Sequence, residues 1–246
     1  MVVLVSVRAR GATPCLLTGW SGSLVYNFFL TALRRVAEPK GRVFAHPLYH
    51  GGAPVLSGLN GSQKAFEPGA AFELRALLLE HDARLLLDSL AAEPRVEVGC
   101  VLEVSGIDIV PADGKLEERH GMAVVELVFY PTVFMFHGRD VLYPSPQRLA
   151  YSLAKTYYQL YGVSLKELAD RAPTALELVG MRIKTGWLNI GEARKVPVFY
   201  GRARLAIYGD VGMWLSLLKL GELTGVGISR AIGLGKYRIE KVEILI

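Results

Sequence analysis

The sequence predicts an α+β protein in which one β-α-β-β-α-β series follows another. Three observations predict it. Stretches of alternating apolar and polar residues give way to helical spacing in the same order twice. A polar, turn-rich segment, residues 111–120, separates the two series. An eleven-residue glycine loop precedes the last alternating stretch.

The first series opens with Val3, Val5 and Val7 set against Leu4, Ser6 and Arg8, which is a strand. Leu24, Val25, Phe28, Phe29, Ala32, Leu33 and Val36 then recur at helical spacing, predicting a helix from about Ser21 to Val36 that Glu38-Pro39 ends. Short strands follow near 43–48 and 55–59, and an extended segment near 72–77. A second helix runs from about His81 to Ala91, and a strand covers 102–109. The second series begins with a strand at 124–130. Ser145-Pro146 starts a helix that reaches Tyr161, with proline at its first position. Ser164 to Glu167 reads as a capping box. Strands are expected at 176–183 and 198–208, a helix at 213–222 capped by Asp210, and a last strand at 237–245. Each series is a split βαβ, the ferredoxin-like unit. The division expected is residues 1–112 and 121–246, the second carrying the glycine-rich loop 225–235.

Bulk composition excludes several classes. With 51% apolar and 21% charged residues among 246, the chain can bury a core and is not disordered. Its longest apolar stretch, Val124 to Phe136, is interrupted by Glu126 and Pro131 and is too short to span a bilayer. The N-terminus lacks a charged leader, so a soluble, cytoplasmic protein is expected. Cys15 and Cys100 form no CxxC pair and are expected as two buried thiols. His46 and His50 stand four apart, but Pro47 and Gly51-Gly52 forbid the helix that a zinc pair needs. No metal and no cofactor is expected. The net charge of +5 suits a polyanionic partner without identifying one.

The loop Gly225-Val226-Gly227-Ile228-Ser229-Arg230-Ala231-Ile232-Gly233-Leu234-Gly235 places two G-x-G units around five residues. It follows a helix and precedes a strand, the reverse of a dinucleotide fingerprint, and Gly235-Lys236 runs into Tyr237 rather than the Ser or Thr of a Walker loop. Two readings remain. One is a structural turn. The other is a backbone cradle for RNA phosphates, with Arg230 and Lys236 adding charge.

In this position the loop resembles the signature of the RAMP superfamily of CRISPR RNA-binding proteins. Within it, the chain is similar to the repeat-RNA endoribonucleases of the Cas-six type, over nearly its whole length. The landmarks are Tyr26-Asn27 on the first helix and His50 ahead of Pro54-Val55-Leu56-Ser57. Phe66-Glu67-Pro68-Gly69, Pro131-Thr132 and Pro144-Ser145-Pro146 follow. The resemblance implies an enzyme that binds precursor CRISPR RNA and cuts it within the repeat without metal. Attack by a 2′-OH would leave a 2′,3′-cyclic phosphate and a 5′-OH. It also allows a second reading, a non-cutting RNA-binding subunit of a CRISPR effector complex alongside other Cas proteins. A homodimer is left open.

Such cleavage needs a proton acceptor, a proton donor and positive charge on the transition state. The resemblance places the catalytic histidine at His50, which the residues alone also allow as an ordinary loop histidine; His46 is its competitor. Tyr26 matches a tyrosine that some family members use beside the histidine. Lys40 or Arg42 is the nearest match to the family's lysine. Lys184, Arg202 and Arg204 alternate with apolar neighbours on predicted strands and could track phosphates.

Overall fold

The computed structural model describes residues 1–191 and 194–245. It divides into two compact units. The first comprises residues 1–112 together with 187–196 and 231–233, and the second holds 113–186, 197–230 and 234–246. The units are therefore not two consecutive stretches of chain: a hairpin tip and the middle of the glycine loop belong to the first.

In the first unit, β1 (Val2–Gly11) lies between β3 (Ala71–Leu79) and β4 (Val101–Pro111), antiparallel to both. The short β2 (Tyr49–His50) pairs with the outer side of β3. The order β2-β3-β1-β4 is that of a ferredoxin-like sheet. Val3, Val5, Val7 and Ala9 are buried, because alternate residues share a face. Helix α1 (Ser21–Arg34) covers them with Leu24, Val25, Phe28, Phe29, Ala32 and Leu33; α2 (Glu80–Ala92) adds Ala83, Leu86 and Leu90. The opposite face carries Leu4, Ser6, Arg8 and Arg10.

The second unit repeats the plan. Here β5 (Gly121–Thr132) lies between β7 (Lys195–Gly209) and β8 (Tyr237–Leu245), and β6 (Leu176–Asn189) is outermost beside β7. Ala123, Val125, Leu127 and Phe129 face α3 (Pro146–Tyr161) and α4 (Val211–Thr224). Helix α3 starts as the sequence predicts: the Ser145 hydroxyl accepts from Arg148 N, Pro146 takes the first position, and Gly162 closes the helix in the left-handed region at φ 73°.

Two other caps are different. The turn after Ser164 begins only at Lys166, so no capping box forms. Asp210 does not cap α4; its carboxylate pairs instead with Arg171 at 2.9 Å and lies 3.2 Å from His120.

The two cysteines also depart from expectation. They are not separate thiols but one disulfide, Cys15–Cys100, with Cα atoms 5.2 Å apart. The cause is register. Gly11 on β1 is opposite Leu102 on β4, so the chain just beyond each strand end comes together although 85 residues separate the cysteines. Closing a loop of that length is expected to stabilise the unit by about 2–4 kcal/mol. Reduction, or Cys100→Ser, should therefore lower the unfolding midpoint while leaving the far-UV circular dichroism of the native state unchanged. Coincident melting curves with and without reductant would contradict this.

Candidate functional site

His50 stands on a tight hairpin. Tyr49 and His50 pair with Pro54 and Ala53, and Gly51 and Gly52 turn the chain at φ 58° and 77°. Tyr49 is opposite Glu73 on β3, which puts His50 on the face of the next residue, Phe72. Its ring lies edge-on to Phe66, with centroids 5.0 Å apart, and 5.7 Å from Phe72. Nδ1 is 2.8 Å from the Ala71 carbonyl oxygen. A carbonyl only accepts, so Nδ1 carries the proton and donates it. In the neutral ring that places the lone pair on Nε2, and the side chain is exposed. Packing and one hydrogen bond thus fix ring orientation and tautomer together.

The other expected members fall into place unequally. His46 is 7% exposed, its backbone threaded along β3 through a bond from its N–H to the Arg75 carbonyl, so its ring is not presented to a polymer. Tyr26 is half-buried on α1 against the same core, and among the described residues its hydroxyl has no hydrogen-bond partner. Lys40 and Arg42 stand elsewhere in the first unit. Lys40 N and Gly41 N both donate to the Asp82 carboxylate, at 3.0 and 2.9 Å, which pins this segment beside the start of α2. That is the Leu79 end of β3, whereas His50 is at its Ala71 end; eight residue steps along the strand separate them by about 26 Å, far beyond a lysine's reach. The sequence interval between Lys40 and His50 is short, but the chain spends it running along β3.

Positive charge at the histidine end comes from residues that the sequence did not single out. Arg10 is opposite Ala71 in the β1–β3 register, at the histidine end of the sheet but on the face away from Phe72 and His50. With Arg8, Tyr49, Gly51, Gly52 and Ser105 it lines a cavity of about 280 Å³ beside the histidine hairpin. Lys64, exposed, shares its short strand with Phe66, the ring that supports His50. The one available signal was register, which a single sequence does not display.

The glycine loop is built differently from an open cradle. Gly225, Gly227, Gly233 and Gly235 all adopt positive φ. A Cβ on Gly235 would overlap the Val226 carbonyl, and one on Gly227 the Val133 carbonyl, so backbone passes against backbone with no room for a side chain. Several loop N–H groups are already used. Val226 N donates to Gly235 O, Gly227 N to the Ser152 hydroxyl, Ile228 N to Val133 O and Gly235 N to Pro131 O. Arg230 is 9% exposed and bonds the Thr156 hydroxyl. Lys236 is 1% exposed and donates to the Leu223 carbonyl at the end of α4. Burial, reinforced by the Arg230 charge, pushes its ammonium pKa well below the usual range. These two cations shape the loop rather than meet phosphate at a surface. In the first unit, the loop's middle is held by Trp20, whose indole N–H donates to Ile232 O at 2.6 Å.

The strand cations also separate. Arg202 is exposed but already paired with Glu126 and Glu240, at 3.3 and 3.0 Å. Lys184 and Arg204 are exposed, and among the described residues neither has a carboxylate within salt-bridge distance. Among the described residues no group of three or more His, Cys, Asp or Glu side chains stands close enough to hold a metal ion. No helix among them is long and apolar enough to cross a membrane.

Two split βαβ units with a buried glycine loop before the last strand define a tandem ferredoxin-like fold. The fold is shared with Cas6 from Thermus thermophilus, solved as a product complex, at TM-score 0.72 and 19% identity over 97% of this chain and 100% of that one. It is shared with a Cas6-related protein from Pyrococcus furiosus at TM-score 0.59 and 12% identity, over 98% and 99% of the two chains. A solved RAMP protein described as binding different RNA substrates matches at TM-score 0.54 and 13% identity, over 97% of this chain and 100% of that one. By sequence, residues 127–237 match the family model of the CRISPR-associated endoribonuclease Cas6. CRISPR-associated endoribonuclease Cas6 of Mycobacterium tuberculosis is 29% identical over 115 residues, an alignment covering 45% of this chain and 36% of that relative.

The loop geometry makes a stability prediction. Lys236→Met should cost about 1–3 kcal/mol by leaving the Leu223 carbonyl without its donor. The lysine's folded pKa is lowered, so its contribution to stability rises with pH up to its ordinary value of 10.5 and is lost as pH falls through the folded value. The variant should lack that part of the pH dependence. Urea unfolding of both proteins across pH measures it, and parallel curves would refute the buried-ammonium reading.

Proposed function

We propose that this protein is a metal-independent endoribonuclease that binds precursor CRISPR RNA and cuts it within the repeat. The observation that carries the reading is His50: exposed, ring-packed, and fixed by Ala71 in the tautomer that offers Nε2 as a base. His46, the other histidine considered for the site, is buried.

In the proposed reaction, Nε2 of His50 takes the proton of the 2′-OH next to the scissile phosphate. The freed 2′-oxygen attacks phosphorus and the bond to the 5′-oxygen breaks, giving a 2′,3′-cyclic phosphate and, once that oxygen is protonated, a 5′-OH. Nδ1–H···O=C of Ala71 steadies the imidazolium as it forms. The unpartnered hydroxyl of Tyr26 orients the attacking group. Lys64, on the short strand of the ring that supports His50, rather than Lys40 or Arg42, supplies charge for the phosphorane-like transition state. Lys184 and Arg204 bind phosphates along the RNA; the glycine loop contributes by shaping the second unit. RNA is the partner this chemistry requires, and association with other Cas subunits is the alternative setting in which the same fold binds without cutting.

The test uses the host's repeat RNA with purified protein in EDTA, and both product ends are mapped. A single cut with a cyclic phosphate and a 5′-OH is expected. His50→Ala should slow single-turnover cleavage by a factor on the order of 10²–10⁴ while RNA affinity is kept. Full activity in the His50→Ala, Tyr26→Phe double variant would sink the mechanism. Tight binding with no cut by the native chain would assign it instead to the non-cutting RAMP subunits. Lys184→Ala should weaken binding more than Arg202→Ala, whose charge is already neutralised, and should lower the salt slope by about one.

A further inference from the structure

The first unit contains a second cavity, of about 710 Å³, lined by Thr18, Gly58, Asn60, Gln63, Trp187, Asn189 and Lys195 among others. Its volume lies within the range of small-molecule and cofactor pockets. The feature that sets it apart is Trp187. The chain's other two tryptophans, Trp20 and Trp214, are 2% and 1% exposed, whereas Trp187 is 58% exposed. An indole left in water forfeits its burial free energy, so its position calls for a cause.

The structure holds that indole outward deliberately. Leu188, the next residue, is fully buried and bridges to Leu59. Trp187 N donates to the Asn60 side-chain oxygen at 3.0 Å, and Asn60 N donates to the Trp187 carbonyl at 2.7 Å. Asn60 adopts φ 52° to do so, in a loop tightened by Gly58 N to Ser62 O at 2.8 Å. Asn189 N donates to Gly58 O, and the Asn189 carbonyl accepts from Trp20 N. The backbone beneath the indole is therefore fixed on both sides, which reduces the ordering cost of a ligand that lands on it.

Around this platform stand groups of the right kinds. Gln63 is exposed, and among the described residues its amide has no protein partner. The Asn60 amide N–H₂ remains to donate, since only its oxygen is used. Lys195, exposed at the start of β7, supplies a cation. An aromatic face, amides that can both donate and accept, and one ammonium match an unpaired nucleotide: π-stacking for the base, amide bonds to its edge and charge for its phosphate.

We infer that this pocket binds an unpaired nucleotide of single-stranded RNA, its base stacked on Trp187, its edge read by Gln63 and Asn60, and its phosphate held by Lys195. The inference rests on the RNA-binding reading above but concerns a site separate from His50.

Because Trp20 and Trp214 are buried, acrylamide-accessible emission reports Trp187. The experiment titrates native protein, Trp187→Phe, Trp187→Ala, Gln63→Ala and Lys195→Ala with the host's repeat RNA, following emission and, independently, filter-binding affinity. The native protein should show quenching and loss of acrylamide access on RNA binding. Trp187→Ala should lose at least about fivefold in affinity, Trp187→Phe less, and Lys195→Ala should show a shallower salt slope. His50→Ala should quench like the native chain, so quenching without cleavage would keep the pocket and remove the nuclease mechanism. RNA bound with unchanged emission, or bound with native affinity by Trp187→Ala, would overturn the pocket and leave the mechanism standing. Failure of the native protein to bind RNA would overturn both.

Discussion

Each unit depends on one central strand that is hydrogen-bonded on both sides. Strand β1 lies between β3 and β4, and β5 lies between β7 and β8. With both edges used, the strand cannot slip by one residue without turning its valines from the helices into water. Val5 and Val7 in one unit, and Val125 and Leu127 in the other, are fully buried as a result. That register then decides what meets what. It opposes Gly11 to Leu102 and so joins Cys15 to Cys100, and it opposes Arg10 to Ala71, the residue whose carbonyl anchors His50.

The candidate active site follows from the same constraint applied at a sheet edge. Strand β2 contributes only two residues, too few to form a core, but enough to fix one side chain. Tyr49 is held beside Glu73, and its ring accepts the Arg75 guanidinium 4.4 Å above it. His50 then rests on the Phe66–Phe72 pair with Nδ1 bonded to the Ala71 carbonyl and the side chain exposed. The turn beyond it is Gly51-Gly52, with open space where side chains would be, so a substrate would meet little obstruction there. Rigid support beneath an exposed ring is what a general base needs, because proton transfer requires hydrogen-bond distance and the correct tautomer at once.

The glycine loop shows how a strong motif can have a steric cause. Its regular spacing records the points where backbone passes directly over backbone: Gly235 on Val226, and Gly227 on Val133. Of the two readings that the sequence left open, the geometry supports the structural one for Arg230 and Lys236, whose charges are spent on Thr156 and on the end of α4. Exposed function lies elsewhere, on the His50 hairpin and around Trp187. Trp187 is exposed although a large aromatic side chain is usually mostly buried. It is its neighbour Leu188 that turns inward.

The sequence by itself determined what short-range periodicity can encode: the order of helices and strands, the buried faces of α1 and β1, the start of α3 at Ser145-Pro146, and the positive-φ loop. These depend on neighbours within a few residues, so a window of the chain contains the whole cause. The tertiary structure alone decided which distant residues share a site. Lys40 is ten residues from His50 yet at the other end of β3, while Phe66, sixteen residues away, lies against its ring. Cys15 found Cys100, Asp210 abandoned its helix for Arg171, and Lys236 went inside. Each of these outcomes was set by strand register and by desolvation, and both depend on pairings between residues far apart along the chain.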